Sequence, residues 1–218
     1  MRTIHKKLGI ILFLLFAVSA MAQKPPPGTV KLKPSKIGVK HATYIDESVL
    51  DVMAWLEYLH WIAREYGGES AQYKACLPDE LVCFQVYPDG NFYTGGMHVW
   101  YSDMPIVGIT HEQAIAYCAW RTDRVNEMLK HQKNKKKYGY TVTYSLPTEA
   151  DFKEAYEQLL IRYYFPYEFS TNELTAEGKV VIKGWGLSFK PYEEYKECEA
   201  YSSFIGFRCV AEIELIKK

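Results

Sequence analysis

Several patterns are missing from this 218-residue sequence. Its five cysteines form no CxxC pair, which argues against a zinc ribbon or a thioredoxin-type redox site. Neither Ser145 nor Ser188 stands in a G-x-S-x-G motif, so a hydrolase triad is not indicated. Basic and acidic residues are equal in number, at 26 each. Without an excess of positive charge, the sequence gives no electrostatic support for a nucleic-acid partner.

A long apolar run is also missing, apart from one near the N-terminus. A basic stretch at residues 2–7 precedes an apolar segment at residues 8–18, and an A-x-A site ends at Ala22. This order predicts a signal peptide over residues 1–22, because the apolar segment is too short to span a membrane. We therefore expect an exported chain, located in the periplasm or outside the cell, with no transmembrane segment after cleavage near Ala22.

The rest of the chain has the length of one domain. After residue 22, 196 residues remain, which is enough for a single hydrophobic core. Residues 23–38 include a Lys-Pro-Pro-Pro-Gly stretch and are predicted to be an extended leader, and residues 39–218 are predicted to be the folded domain. Eighteen tyrosines and five tryptophans can fill a core, but they also favour contact surfaces.

The chain is organised around residues 105–121. A β-branched run predicts a short strand ending at Thr110, where Thr110 and Gln113 have the spacing of a capping box. The apolar residues that follow predict a helix of about four turns with Cys118 facing the interior. A second box with the same spacing begins at Thr148 and predicts another helix.

Periodicity predicts the remaining elements. Apolar residues three and four apart indicate a helix from Ser48 to Gly67, and residues 66–83 are predicted to be irregular. Alternating or β-branched stretches predict strands at residues 30–39, 42–45, 81–87, 138–144, 180–182 and 204–213. Two main helices among several short antiparallel strands indicate an α+β fold.

Three sequence blocks follow one another between residues 39 and 211. They are Tyr44-Ile45-Asp46-Glu47 before a helix, Pro105 to Trp120 with the later Leu146-Pro147-Thr148-Glu149-Ala150-Asp151-Phe152, and Gly206-Phe207-Arg208-Cys209. Together they resemble the formylglycine-generating enzyme, or sulfatase-modifying factor, family. The resemblance implies the family's fold, a variant of the C-type lectin fold. The segment from Cys118 to Glu127 is most similar to the lipoproteins of that fold in bacterial gliding motility and type IX secretion.

The resemblance fails at the family's catalytic metal site. The active enzymes oxidise a substrate cysteine with a copper ion held by two cysteines five apart, just after an R-G-G-S-W-like segment. The matching stretch here, residues 183–189, is followed by no cysteine pair, and only Cys198 is left as a candidate ligand. One cysteine does not supply the two soft thiolate ligands that such a copper site uses. Ser145 also replaces the family's arginine, and His111 replaces its tryptophan.

No other cofactor is indicated. Four histidines share no metal-ligand spacing: His41, His60, His98 and His111. Calcium stays open as a cofactor, because the segment between Ala155 and Gly184 is shorter than in the family and the family's calcium ligands cannot be placed on it.

The resemblance also implies a disulfide between Cys118 and Cys209, because family members join the cysteine of Y-C-x-W to that of G-F-R-C. The odd number of cysteines leaves at least one thiol without a partner in the same chain. Cys76 and Cys83 are candidates for a local bridge, and one of them is equally a candidate to pair with Cys198.

Loop aromatic residues complete the sequence-based expectations. The implied fold brings six of them to one side: Trp100, Tyr101, Trp185, Tyr192, Tyr195 and Tyr201. Core packing explains such residues as readily as a contact surface does. A scaffold without its metal cysteines leads us to expect a non-catalytic protein that binds another envelope or secreted protein, in a setting like gliding motility or type IX secretion. The alternatives are a thiol- or metal-dependent oxidoreductase of the formylglycine-generating type and lectin-like glycan binding.

Overall fold

The computed structural model describes residues 24–32, 42–86, 101–134, 138–158, 160–161, 167–184, 194–198 and 205–216. The strands are β1 (Thr29–Lys31), β2 (Ala42–Asp46), β3 (Tyr140–Ser145), β4 (Tyr167–Ser170), β5 (Val180–Gly184), β6 (Glu194–Cys198), β7 (Ile205–Gly206) and β8 (Val210–Leu215). The helices are α1 (Val52–Tyr66), α2 (Ala71–Ala75), α3 (Glu80–Val86), α4 (His111–His131) and α5 (Glu149–Glu157). The mixed α and β content agrees with the predicted α+β class.

The strands form two four-stranded sheets with the orders β1-β2-β8-β3 and β6-β5-β4-β7. All pairs in the first sheet are antiparallel. In the second sheet, β4 pairs antiparallel with β5 but parallel with β7. The expectation of antiparallel strands therefore holds except at this short pair, whose long connection contains β5 and β6 of the same sheet.

The long helices α1 and α4 end and begin, respectively, at predicted caps, but the N-terminal cap of α1 differs from the prediction. The side chain of Asp51 accepts a hydrogen bond from the amide of Ala54, so α1 begins at Val52 rather than at Ser48, and Gly67 ends it with a φ of 93°. Thr110 and Gln113 form the predicted capping box. With 21 residues, or about six turns, α4 is longer than the predicted four turns, and Val125 and Leu129 lie on its buried face as expected.

Four segments differ from the prediction. Residues 81–87 were predicted to be a strand, but residues 80–86 form α3, whose amides at Val82 and Cys83 bond to Asp79. Inside the segment predicted to be irregular, Ser70 caps α2. The buried run before Thr110 makes a single bridge, at Pro105, and no strand. The run at 204–213 divides into β7 and β8, which belong to different sheets.

The main core lies between α1, α4 and the first sheet, and buried residues of the second sheet also belong to it. Its centre is an aromatic cluster in which Trp55 contacts Tyr58, Tyr117 and Phe207 at ring-centroid distances of 5.2, 5.6 and 6.1 Å. A second, smaller cluster packs Phe152 and Ala155 of α5 against the first sheet near Ile45. Trp55 lies on the buried face of α1, together with Val52, Tyr58 and Leu59.

One edge of the first sheet is covered by side chains of α4. The amide group of Asn126 bonds to both the N–H and the carbonyl of Val142, at 2.9 and 2.8 Å. The hydroxyl of Thr122 accepts the N–H of Tyr144 at 2.9 Å. These bonds satisfy the outer polar groups of β3 and so prevent another strand from pairing there.

Within the described residues, no helix is long and apolar enough to cross a membrane. The predicted signal peptide, residues 1–22, lies outside the described residues.

Candidate functional site

The end of β2 is a junction built on the carboxylate of Asp46. Its Oδ2 accepts hydrogen bonds from Nη1 of Arg121 at 2.7 Å and from the amide of Cys209 at 2.9 Å, and its Oδ1 accepts from Nη2 of Arg121 at 2.9 Å. The Arg121 guanidinium also lies 4.3 Å from the centre of the Tyr144 ring and donates to the carbonyl of Pro27 at 2.9 Å. Burial lowers the pKa of Arg121, but the charge and hydrogen bonds of Asp46, together with Cys209 and Tyr144, raise it, and the net shift is upward. Arg121 is therefore fixed and charged.

A second arginine binds the other side of the same strand end. Arg208 is fully buried and donates to both carboxylate oxygens of Glu168, at 2.6 and 2.8 Å. Its Nη1 donates to the carbonyls of Asp46 and Glu47, at 3.1 and 3.2 Å. Arg208 thus joins the second sheet, through β4, to the end of β2 in the first sheet.

Cys118 and Cys209, the predicted disulfide pair, lie side by side in the core. Both are buried, and their Sγ atoms are 3.4 Å apart. When both cysteines are thiols, the hydrogen bond between them raises the pKa of Cys118, and burial raises it further. The structure brings the two sulfurs together as expected, and their covalent pairing stays a prediction.

The other two described cysteines have separate partners. The thiol of Cys76 donates to the hydroxyl of Tyr58 at 3.1 Å, and that of Cys83 donates to the carbonyl of Val107 at 3.4 Å. Burial raises the pKa of both thiols, and with the charges of Asp79 and Glu80 it raises the pKa of Cys83 to about 12. Both side chains are therefore protonated at neutral pH, and the two cysteines are not bridged to each other.

The residues present do not fit the copper site of the active enzymes. Such a site needs two thiolates, which bind copper only after losing their protons. The described thiols are protonated or in contact with each other, and Cys198 on β6 is a single cysteine. Among the described residues, no cluster of three or more histidine, cysteine, aspartate or glutamate side chains could hold a metal ion.

A groove of about 680 Å³ lies between α1 and α4, and we call it the helix groove. Residues 46–51 and the N-terminal segment at Pro27 and Gly28 close one end, and His131 lies at the other. Gly28 has a φ of 74°, and a Cβ there would lie 3.3 Å from Nη2 of Arg121. A larger residue would therefore push against the arginine that fixes this end of the groove.

The walls of the helix groove are aromatic and charged. Trp61 of α1 lies against two guanidinium groups, those of Arg64 at 4.3 Å and Arg124 at 4.9 Å from its ring centre. Arg124 also pairs with Glu127 at 2.6 Å. Trp120 lines the floor and packs on Tyr58 and Tyr117. The rings and arginines hold the two helices apart at a fixed spacing and leave an open, shaped surface between them.

The predicted contact surface is described only in part. The side chain of Tyr101 is half-buried and packs against the main core. For Tyr195 only the backbone is described, on β6 opposite Lys183. Trp100, Trp185, Tyr192 and Tyr201 lie outside the described residues. The shared surface therefore stays a prediction.

The histidines do not converge in the described part of the chain. His111 is buried, and its Nε2 lies 2.8 Å from the carbonyl of Thr171, while His60 is exposed on α1. His41 and His98 lie outside the described residues. Glu149 and Asp151 lie in the first turn of α5, where Asp151 completes the capping box with Thr148. Both acids thus occupy a helix N-terminus, which favours negative charge.

The sequence analysis did not identify the helix groove. Its only signals were the arginines at positions 121 and 124, and Trp61 with Arg64 one helical turn later on α1. Such spacing places residues on one helix face. It does not show that the face of α1 at Trp61 meets the face of α4 at Arg121, 60 positions later, with a gap between the two helices.

Two comparisons with known proteins bear on identity. No curated protein matches the chain significantly. The family model described as sulfatase-modifying factor enzyme 1-like domain matches residues 70–199, which is more than half of the chain. The match includes α4 with Cys118 and Arg121, the α5 capping box and both strands around Glu168 and Lys183. This chain belongs to the sulfatase-modifying factor family.

Proposed function

We propose that this chain is an exported, non-catalytic member of the family that binds another envelope or secreted protein. The observation that carries the proposal is the lost donor set: residues 183–189 are followed by Cys198 and by no second cysteine before Cys209. Cys209 is buried beside Cys118, so it does not replace the missing ligand. A family domain that keeps its scaffold without the metal ligands retains its surfaces for binding.

The proposal includes finer assignments of fold and place. The fold is the family's variant of the C-type lectin fold, supported by the two sheets and by the position of Gly206–Cys209 beside β2. The place is the cell envelope, in a system like gliding motility or type IX secretion, supported by the A-x-A site and the Cys118–Glu127 segment of the sequence. The disulfide Cys118–Cys209 belongs to the same proposal, because an exported compartment is oxidising.

Catalysis is tested by titrating the purified mature chain with Cu(I) against a competing chelator, and by measuring oxygen uptake with a cysteine-containing peptide. We expect no stoichiometric high-affinity copper and no uptake above that of the Cys198→Ser variant. Tight copper binding that is lost in Cys198→Ser would favour the oxidoreductase alternative and overturn this part of the proposal.

Binding is tested by affinity capture from the envelope of the producing cell, with the wild-type chain and with Trp185→Ala and Tyr201→Ala variants. We expect the wild-type chain to retain a protein partner, and the Trp185→Ala and Tyr201→Ala variants to retain less of it. The control Glu173→Ala, at an exposed turn, should retain the partner as the wild-type chain does. Non-reducing peptide mapping of the same sample reports the Cys118–Cys209 bridge and a mature N-terminus at Gln23. Capture of glycans instead of protein would favour the lectin-like alternative.

A further inference from the structure

Distant parts of the chain meet at one end of the first sheet. The hydroxyl of Tyr140, at the start of β3, donates to the carbonyl of Lys24 at 2.9 Å, and Tyr140 is paired across the sheet with Leu215 at the end of β8. The amide of Ile216 donates to the carbonyl of Gly139 at 3.0 Å. The first and the last described residues of the chain therefore lie at the same end of this sheet.

The C-terminus of α4 reaches the same end. The helix ends at His131, and the amide of Tyr138 bonds to the carbonyl of Asn134 at 3.1 Å in the turn that leads to β3. The ammonium of Lys24 lies 5.9 Å from the centre of the Tyr138 ring, so the N-terminal segment lies beside this turn. We use the name basic end for the surface formed by Lys24, Lys130, Lys133, Tyr138, Leu215 and Ile216.

The basic end is rich in lysine and poor in acids. Lysine occupies five of the eight positions from 130 to 137 and both positions 217 and 218, and Glu214 is the one acid in residues 130–140 and 214–218. Of these lysines, the ones at 135–137 and 217–218 lie outside the described residues. The negative end of α4 favours lysine in its last turn, but that effect fades beyond the turn and does not explain Lys24 or Lys133, which are both exposed. Since the whole chain has equal numbers of basic and acidic residues, positive charge is concentrated here.

Exposed aliphatic side chains lie beside this positive charge. Leu215 and Ile216 are 60% and 59% exposed. Successive side chains of an extended strand point to opposite faces, so the end of β8 is apolar on both sides, and Glu214 points away from Leu215. Apolar side chains next to lysines are typical of a surface that lies in the headgroup region of a bilayer, where the apolar groups enter and the lysines meet lipid phosphates.

We propose that the basic end binds the surface of an anionic phospholipid bilayer, with Leu215 and Ile216 entering the headgroup region. Charge complementarity favours an anionic ligand, and the lysines come from separate chain segments, which suits an array of headgroups better than a single small anion. The exposed aliphatic pair favours a bilayer over a purely acidic protein surface, because only the bilayer offers hydrocarbon below its charges. This surface and its lipid ligand are independent of the protein partner proposed above.

The first test is co-sedimentation of the purified mature chain with vesicles of phosphatidylcholine alone, or of phosphatidylcholine and phosphatidylglycerol in equal amounts. We expect at least tenfold more binding to the anionic vesicles. Raising the salt concentration from about 0.05 M to about 0.5 M should release most of the bound chain, because salt screens the lysines from the lipid phosphates. Equal binding to both kinds of vesicle would overturn the proposal. Binding to soluble polyglutamate but not to vesicles would also overturn it and would assign the basic end to an acidic protein.

The second test measures the affinity of variants for the anionic vesicles. Ile216→Glu should weaken binding at least tenfold, because it removes an apolar group and adds a negative charge. Lys133→Glu, at an exposed position after the end of α4, should weaken it at least threefold. The urea midpoint of each variant reports whether it is folded, and if Ile216→Glu is not, Lys133→Glu still decides the outcome.

The matched controls are Leu174→Glu and Lys179→Glu in the turn between β4 and β5, where both residues are exposed. This turn begins near Thr171, whose carbonyl lies 2.8 Å from Nε2 of His111 at the start of α4. The length of α4 separates that position from the basic end by about 30 Å. Both controls should bind the vesicles as the wild-type chain does. Equal affinities for all four variants would show that another surface meets the bilayer.

The Trp185→Ala variant separates this inference from the proposed function. That variant is expected to lose much of the protein partner, but it should bind anionic vesicles as the wild-type chain does. Loss of vesicle binding in Trp185→Ala would contradict the assignment to the basic end. If the wild-type chain binds the vesicles and captures no protein partner, the proposed function fails and the bilayer-binding surface is supported.

Discussion

Two arginine–carboxylate pairs meet at the end of β2 in different surroundings. Arg208 and Glu168 have side-chain exposures of 0% and 4%, whereas Arg121 and Asp46 have 13% and 8% and line the helix groove. Both carboxylates accept two arginine hydrogen bonds. The arginine–carboxylate bonds are alike, although Asp46 also accepts the amide of Cys209, and the two pairs differ in their access to solvent. The buried pair has no water to replace a lost partner, and the groove pair does.

The largest effect is expected from Arg208→Met. The change leaves the Glu168 carboxylate buried without its partner and the carbonyls of Asp46 and Glu47 without their donor. The free energy of unfolding, measured by urea denaturation, should fall by about 3–5 kcal/mol. The double variant Arg208→Met/Glu168→Met should recover much of the loss, because it removes both charges. A single variant that loses less than about 1 kcal/mol would contradict the expected difference between the two pairs.

A smaller effect is expected from Asp46→Asn at the groove pair. Asparagine supplies one acceptor oxygen where three N–H groups now bond, and its amide group would face a donor. Urea denaturation should show a loss of about 1.5–3 kcal/mol, because hydrogen bonds to a charged group are removed while nearby water compensates in part. If the loss equals that of Arg208→Met, solvent access does not distinguish the pairs.

Alkaline pH should destabilise the fold without involving either pair, because arginine stays charged there. Burial raises the folded-state pKa of Cys83 from 9.0 and of Tyr140 from 10.0, each to about 12. The unfolded chain loses these protons first, so stability is complete below about pH 9 and is lost as the pH rises toward 12. The loss should not exceed about 1.4 kcal/mol per pH unit for each group. The urea concentration at the midpoint of unfolding, measured at pH 8, 9 and 10, tests this loss of stability.

The control for the alkaline experiment is Cys83→Ala, which should reduce the loss between pH 9 and pH 10 and leave the part due to the raised pKa of Cys76. Arg208→Met should lower the whole stability curve without changing its slope in this range. An unchanged slope in Cys83→Ala would show that another group titrates there.

The smallest effect is expected from Glu127→Gln, which breaks the ion pair with Arg124 on the surface of α4. The two side chains are 32% and 54% exposed, three residues apart on one helix. Such pairs contribute little, so the unfolding free energy should change by less than about 0.5 kcal/mol. A larger loss would show that the contact between Arg124 and Trp61 depends on Glu127.

Sequence analysis predicted the parts of the fold that are set by close neighbours. Both capping boxes, the end of α1 at Gly67 and the strands at β2, β3 and β5 follow from residues within four positions of one another. The prediction was wrong at α3, where alternation at residues 81–87 suggested a strand. Leu81 is 75% exposed beside the buried Val82 and Cys83, so the pattern reflects a helix that lies on the core with one face.

The candidate site was less accessible to prediction. The sequence suggested the pairing of Cys118 with Cys209 only through resemblance, and it did not suggest that Asp46 binds Arg121, 75 positions away. The groove also depends on the angle and separation of α1 and α4, which no local pattern encodes.

By itself, the sequence determined the family blocks, the helix caps and the absence of a second cysteine between Cys198 and Cys209, because these are matters of residue identity and short spacing. Only the tertiary structure decided which arginine is buried with Glu168, which one lines the groove with Asp46, and that α1 and α4 leave a groove between them. The physical reason is that burial and long-range pairing are set by how the two sheets and the long helices pack. Chain positions far apart acquire their solvent exposure, and hence the strength of their interactions, only in that packing.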